Sequence, residues 1–253
     1  MSVALIELIQ YLERCLQPDQ FRDYCPNGLQ VEGRPALSKL ATGVTASQQL
    51  LDAAIAWGAD AILVHHGYFW SGEAPQIVGM KRRRLAALLS NEVSLLAYHL
   101  PLDAHPRFGN NVRLGQLMGL AEQEPLQSGD PGSVGNIGSL AEAIPAGELV
   151  ERLEQITGRR PLHIGDDEDP VRRIAWCTGA AQGYIEAAVA AGADLFVTGE
   201  VSEQTVHIAR EEGIHFIAAG HHATERYGVQ ALGEHLAQHF SLLHRFIDID
   251  NPV

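Results

Sequence analysis

An internal repeat constrains the fold of this chain more than any other feature of its sequence. Residues 41–64 align with residues 175–198 without a gap, at a constant offset of 134 residues and with 9 identities in 24 positions. Each copy predicts an alanine-rich helix ended by a glycine, a turn with an aspartate, and a short apolar strand. Unrelated helix–glycine–strand units can resemble one another in this way, yet either origin predicts the same local structure twice. The turn residues are Gly58 with Asp60, and Gly192 with Asp194.

Short apolar segments alternate with Ala- and Leu-rich segments along most of the chain, and this pattern predicts strands that alternate with helices. The predicted strands are residues 40–44, 61–64, 93–97, 173–177, 195–198, 215–218 and 243–249. The predicted helices are residues 3–16, 48–57, 85–90, 112–118, 149–157, 184–191, 205–212 and 224–239. Because such alternation is typical of parallel sheets covered by helices, we expect an α/β fold with largely parallel sheets.

The repeat also predicts the domain organisation, which is a single unit made of two similar, intertwined α/β lobes. We expect the first lobe at about residues 1–121 and the second at about residues 170–253, with a seam at about 122–169. The glycine-rich run 132–139 lacks the Lys-Ser/Thr ending of a phosphate-binding loop, so it is predicted to form a hairpin. Residues 25–30 contain Pro and Asn-Gly and are predicted to form a loop.

The composition excludes several classes of protein. The 253 residues include 18 Lys+Arg and 31 Asp+Glu, and the net charge of −13 argues against a general binder of nucleic acid. No uncharged apolar run reaches the roughly 18–20 residues of a membrane span. The N-terminus does not resemble a signal peptide, because Glu7 and Glu13 interrupt its apolar face. The three cysteines show no metal-type spacing and no even count, so we expect a soluble, cytoplasmic protein.

Twelve histidines are an unusual feature of this composition, and several of them follow predicted strands together with carboxylates. Ligands of α/β sheets collect at the carboxyl ends of strands. A single histidine at such an end is as easily an ordinary loop residue, whereas two His-His pairs at matching strand ends favour a shared site. The polar residues at these ends are His65, His66, His99, Asp103, Glu200, His221 and Glu225.

Five of these residues are predicted to bind metal. His221 and Glu225 are four residues apart at the start of a predicted helix, so their side chains face the same way and suit one cation. His65 and His66 are adjacent at a strand end and are expected to diverge, which suits two different cations, while Asp103 has two oxygens with which to bridge them. Nitrogen and oxygen ligands without a thiolate are typical of a catalytic site for Zn, Mn, Fe or Ni.

Four segments resemble the motifs of a known family, the GTP cyclohydrolase 1 type 2 homologue family, also called the NIF-three-like family. The segments are His65-His66-Gly67, His99 to Asp103, Thr198-Gly199-Glu200 and Gly220 to Glu225. The resemblance extends over nearly the whole chain and implies a two-lobed α/β fold, a dinuclear divalent-metal site between the lobes, and a homohexamer built as a ring of dimers. Gly67 stands where many members have proline, which changes no ligand. By matching motif, the resemblance assigns the metal ligands His65, His66, Asp103, His221 and Glu225.

Two functions are consistent with these residues. The first is hydrolysis assisted by two divalent cations per subunit, in which His99 or Glu200 serves as the catalytic acid or base. The family label suggests a GTP cyclohydrolase-like reaction, and other nucleotides or phosphoesters fit the same chemistry as small-molecule substrates. The alternative is a metal-binding, ring-forming scaffold or regulatory protein without significant turnover. A metal that carries water and faces a cavity favours the first function over the second.

Overall fold

The structure is a computed structural model that describes residues 2–120, 122–129 and 132–253. These residues form two compact units, and both are α/β, as predicted. The first unit contains the described residues up to Leu102 together with Gly228–Asp250. The second contains those from Asp103 to Tyr227 together with Asn251–Val253.

Within the described residues, the first unit is built on a five-stranded sheet. Its strands are β2 (Gly28–Val31), β4 (Lys39–Thr45), β5 (Ala61–His66), β6 (Ser94–Ala97) and β13 (Leu243–Phe246). Their order is β13-β4-β5-β6-β2, and β2 alone of these strands runs antiparallel to its neighbour. A small antiparallel ladder and several helices accompany the sheet: β1 (Val3–Ala4), β3 (Ala36–Leu37), α1 (Leu5–Leu16), α2 (Gln48–Trp57) and α3 (Gly79–Ser90).

Local sequence signals place helix α2 between β4 and β5. The Ser47 side chain begins the helix, because its Oγ accepts a hydrogen bond from the Leu50 N–H at 3.3 Å. Gly58 ends the helix at a φ of +79°, in the left-handed region that glycine adopts without a Cβ clash. The chain then enters β5, whose residues 61–64 are fully buried. This segment therefore carries the residues that follow it to the carboxyl edge of the sheet.

The second unit holds a six-stranded sheet in the part of the chain that the structure describes. Its strands are β7 (Gln123–Pro125), β8 (Asn136–Pro145), β9 (Leu162–Ile164), β10 (Pro170–Trp176), β11 (Leu195–Thr198) and β12 (His215–Ala218). Their order is β7-β8-β10-β11-β12-β9, with β10, β11 and β12 parallel and the other pairs antiparallel. The helices of this part of the chain are α5 (Asn110–Met118), α6 (Ala146–Thr157), α7 (Ile185–Ala190), α8 (Glu203–Glu212) and α9 (His221–Thr224).

Two further helices contain the points at which the chain passes from one unit to the other, namely α4 (Leu100–Ala104) and α10 (Arg226–Phe240). None of the helices in the described ranges is both long and apolar enough to cross a membrane.

The predicted repeat is confirmed by the strand pairing. Leu40 of β4 lies opposite Ala61 of β5, and Ile174 of β10 lies opposite Leu195 of β11, so the two registers are related by the same offset of 134 residues. In each sheet a third parallel strand follows, β6 in the first and β12 in the second, and an antiparallel strand pairs with it. Each unit therefore contains the same three parallel strands, at whose carboxyl ends the predicted site residues lie.

The boundaries of the two units differ from the lobes expected at residues 1–121 and 170–253. Strand β13 pairs in parallel with β4, so the end of the chain adds a strand to the first unit. Strand β8 lies in the expected seam, yet it pairs with β10 and so belongs to the sheet of the second unit. Local patterns do not show which distant strands will pair, and this is why the sequence misplaced these segments. Residues 121, 130 and 131 of the expected ranges lie outside the described residues.

Two local predictions are corrected as well. The loop expected at residues 25–30 ends early, because β2 begins at Gly28 with a φ of +102°. The helix expected at residues 224–239 is interrupted, since α9 ends at Thr224 and α10 begins at Arg226. The antiparallel pairing of β7 with β8 agrees with the hairpin predicted around residues 132–139.

Candidate metal centre

His65 and His66 are the last two residues of β5, at the carboxyl edge of the first sheet. His65 is fully buried, and its Nδ1 donates a hydrogen bond to the Tyr98 carbonyl oxygen at 3.1 Å. His66 places its own Nδ1 3.1 Å from the Oγ1 of Thr45. A hydrogen bond at one ring nitrogen fixes the ring orientation and directs the other nitrogen to a ligand, as is usual for metal-binding histidines.

His99 lies just beyond β6 and brings a third imidazole to this edge. One ring nitrogen from each of His65, His66 and His99 lies within 4.8 Å of the others. The His65 ring centroid is 4.6 Å from that of His66 and 5.0 Å from that of His99. We expected His65 and His66 to diverge as strand neighbours, but their rings lie close together because β5 ends at His66 and its pleat ends with it. Imidazole groups at such distances suit Zn, Fe, Ni or Cu better than Mg or Ca.

Two side chains of the loop before β2 hold His99 in place. The Asp23 Oδ1 accepts a hydrogen bond from the His99 Nδ1 at 2.7 Å, and the Asn27 Oδ1 accepts one from the His99 backbone N–H at 2.7 Å. Burial alone would raise the pKa of Asp23, but the hydrogen bond and positive charge of His99, with further hydrogen bonds, lower it to about 2. Trp70 contacts the same ring edge-on, with centroids 5.1 Å apart. His99 is therefore a partly buried, oriented imidazole beside a carboxylate.

In the second unit, His221 stands between two carboxylates. Its Nδ1 is 2.7 Å from the Glu200 Oε1, and its Nε2 is 3.3 Å from the Glu225 Oε1. Burial alone would lower the pKa of His221, but Glu225 and Glu200 raise it to about 9. The predicted i, i+4 pair is thus in contact, and its surroundings favour positive charge. Glu200, expected as a spare acid or base, is engaged with His221 here.

Asp103 is a buried carboxylate of the second unit, only 7% exposed. Its Oδ1 accepts hydrogen bonds from the Asn110 Nδ2 at 2.9 Å and from the Thr178 Oγ1 at 3.3 Å. Glu225 is 2% exposed. Buried carboxylates are costly without a positive charge or strong donors beside them, so both residues fit the ligand set of a cation.

A close approach of the backbone to Glu225 requires glycine at position 179. Gly179 has a φ of +72°, and a Cβ there would overlap the Glu225 Oε1. The Gly179 N–H also donates to the Thr224 Oγ1 at 3.1 Å, which ties this loop to the segment that carries Glu225. The sequence alone gives no sign of this role, because the glycine is far from residue 225 along the chain.

The buried cysteines do not serve as thiolate ligands. Burial raises the pKa of Cys177 well above its usual value, and the nearby carboxylates of Asp103 and Glu225 raise it further. Burial and the charge of Asp23 raise the pKa of Cys25 to about 12. Both thiols stay protonated at neutral pH, in agreement with the thiolate-free ligand set predicted from the sequence.

Comparison with known proteins gives a consistent result over the whole chain. Residues 3–252 match the model of the Duf34/NIF3 (NGG1p interacting factor 3) family. A Pseudomonas aeruginosa protein named GTP cyclohydrolase 1 type 2 homolog is 58% identical over 252 residues, which cover 100% of both chains. A protein of the same name from Escherichia coli K12 is 52% identical, over 97% of this chain and 98% of the other.

Solved structures give the same result for the fold. A protein titled ybgI, of unknown function, has a TM-score of 0.94 at 49% identity, over 99% of this chain and 100% of its own. TTHA1606 from Thermus thermophilus has a TM-score of 0.87 at 35% identity, over 99% of this chain and 100% of its own. Reduced HcgD from Methanocaldococcus jannaschii, at 22% identity and a TM-score of 0.84 over 99% of each chain, shares the fold.

Proposed function

This chain belongs to the Duf34/NIF3 family, and on that premise we propose that it is a hydrolase that depends on two divalent metal cations per subunit. One observation supports the proposal above all. Each unit collects imidazole or carboxylate groups at the carboxyl ends of its three equivalent parallel strands. The proposed metal ligands are His65, His66, Asp103, His221 and Glu225.

Bound cations would supply a water of lowered pKa and an electrophile for the bond that is cleaved. The residues of the chain have separate roles in this proposal. His99 moves the proton, because its Nδ1 is held by Asp23 and its Nε2 remains for exchange. Glu200 orients His221 through the hydrogen bond to Nδ1.

The names of the relatives suggest GTP as a substrate, and other nucleotides or phosphoesters fit the same chemistry. A cavity of about 740 Å³ in the first unit contains Asp23 in its wall. The charged residues among its lining are Glu13, Asp19 and Asp23, and no described lining residue is basic. A triphosphate has no cationic partner in this cavity, so a substrate panel should include neutral and cationic compounds beside nucleotides.

The test uses the full-length chain, stripped of metal with a chelator and reloaded separately with Zn²⁺, Mn²⁺, Fe²⁺ or Ni²⁺. We expect turnover of at least one panel compound with metal and none without it. His207→Ala is the matched control, since His207 is an exposed histidine of α8 outside the ligand set. A chain that binds two cations yet turns over no compound would overturn the hydrolase and favour the scaffold function.

We also propose that six copies form the ring that the family resemblance implies. The alternative assembly states are distinguished by the mass of the particle in solution.

A further inference from the structure

We propose that Asp23 is a positioning residue that fixes the tautomer and ring orientation of His99. This inference rests on the proposed function for its purpose, because an oriented Nε2 matters only if His99 exchanges a proton or binds a cation. The hydrogen bonds that carry it stand independently of metal.

Four hydrogen-bond donors converge on the Asp23 carboxylate. The His99 Nδ1 and the Tyr24 backbone N–H lie 2.7 and 2.6 Å from Oδ1. The Asn27 Nδ2 and the Leu100 backbone N–H lie 2.9 and 3.0 Å from Oδ2. The side chain of Asp23 is 4% exposed and that of His99 is 13% exposed, so solvent offers little competition. Each carboxylate oxygen thus accepts from its own pair of donors.

This arrangement decides which nitrogen of His99 carries the proton. An ionised carboxylate only accepts hydrogen bonds, so the His99 Nδ1 must be the donor. The neutral ring then carries its lone pair at Nε2. Since His99 belongs to the group of three imidazoles with His65 and His66, Nε2 is the atom left for chemistry in that group.

Asn27 aligns the two partners as well as contacting each of them. Its Nδ2 donates to Asp23, and its Oδ1 accepts from the His99 backbone N–H at 2.7 Å. The imidazole therefore has a fixed main chain and a fixed ring. A histidine held in this way needs no reorganisation before it acts.

The substitution Asp23→Asn reverses the hydrogen bond to His99 without changing the shape of the side chain. An amide has one acceptor oxygen, and at the Oδ2 position this oxygen keeps both the Asn27 and the Leu100 donor, neither of which can become an acceptor. The amide nitrogen then faces the His99 Nδ1 as a donor. The neutral ring responds by moving its proton to Nε2, where the lone pair is lost. The Tyr24 N–H loses its acceptor but lies on an exposed residue, where water replaces it.

The experiment reads the tautomer of His99 by long-range ¹H–¹⁵N NMR correlation in the full-length, metal-free chain labelled at histidine, with His99→Ala to assign the signal. We expect Nδ1–H in the wild type and Nε2–H in Asp23→Asn. The matched control Asp19→Asn removes the same charge from an exposed position of the same segment and should leave Nδ1–H in place. With a substrate in hand, Asp23→Asn should lower kcat by roughly 10²–10⁴ with little change in KM.

A wild-type His99 with Nε2–H would overturn the inference, and this measurement needs no variant that might fail to fold. An Asp23→Asn chain that keeps Nδ1–H would overturn it as well. Metal content is measured separately on the reloaded protein. If the chain binds no metal but shows the expected tautomers, the proposed function fails while the role of Asp23 stands.

Discussion

Asp60 and Asp194 make the same hydrogen bonds, 134 residues apart. The Asp60 Oδ2 accepts from the backbone N–H groups of Ser38 and Lys39 at 2.8 and 2.9 Å. The Asp194 Oδ2 accepts from those of residues 172 and 173 at 2.8 and 2.7 Å. In both units, therefore, a turn aspartate fixes the start of one strand against the start of the next.

Asp60 should make the stability of the first unit sensitive to acid. Burial alone would raise the pKa of Asp60, but the hydrogen bonds of Ser38 and Lys39 and the charge of Arg34 lower it below its usual value. The unfolded chain then binds more protons in acid, so the stabilisation is present above pH ~4 and is lost as the pH falls through the folded pKa. In urea unfolding, we expect a smaller loss of stability below pH ~4 for Asp60→Asn than for the wild type.

At neutral pH, Asp60→Asn should also lower the free energy of unfolding by about 1–3 kcal/mol, because buried donors lose an acceptor. The control is Asp52→Asn on the exposed face of α2, which should change stability little. Equal pH slopes for Asp60→Asn and the wild type would contradict this role.

Gly179→Ala should reduce metal binding by displacing Glu225. Its matched control is Gly192→Ala, because Gly192 has nearly the same φ of +70° but no atom within 4 Å of the position that a Cβ would occupy. Both substitutions strain the backbone by roughly 1–3 kcal/mol. We expect thermal denaturation to show this loss in both variants and metal analysis to show a loss only in Gly179→Ala. Equal metal content in the two variants would contradict the close approach to Glu225.

Loss of a ligand and loss of the acid or base should be separable. Asp103→Asn and Glu225→Gln should abolish turnover through loss of metal, since an amide is a weaker ligand than a carboxylate. His99→Ala should keep about two cations per chain while the rate falls by roughly 10²–10⁴. Metal analysis beside kinetics distinguishes the two outcomes. A His99→Ala chain without metal would show that His99 is itself a ligand.

The chain should assemble into a homohexamer. Sedimentation equilibrium at micromolar concentration should then give a particle six times the 27.5 kDa of one chain. A monomer at that concentration would contradict the ring.

The sequence predicted the parts of this structure that depend on local patterns. Helix α2 begins and ends at the predicted residues, because Ser47 and Gly58 are local signals. The repeat offset predicted the register of β4 with β5 and of β10 with β11. The sequence did not predict that β13 joins β4, since that pairing depends on contacts between distant residues.

The same distinction holds for the candidate site. His65, His66, His221 and Glu225 could be found because they follow apolar strands or share a helical spacing. Asp23 could not, because it lies in a loop 76 residues before His99 and its role depends on a tertiary hydrogen bond. In retrospect, its one sequence signal is the spacing to Asn27, which places both side chains on one turn.

The central claim is that this chain binds two divalent cations through His65, His66, Asp103, His221 and Glu225. Equilibrium dialysis of the metal-stripped, full-length chain against buffered Zn²⁺, with metal counted against protein, tests it most directly. We expect two cations per chain for the wild type and for His207→Ala, and fewer for His65→Ala. A wild type that binds none, or a His65→Ala chain that still binds two, would contradict the claim.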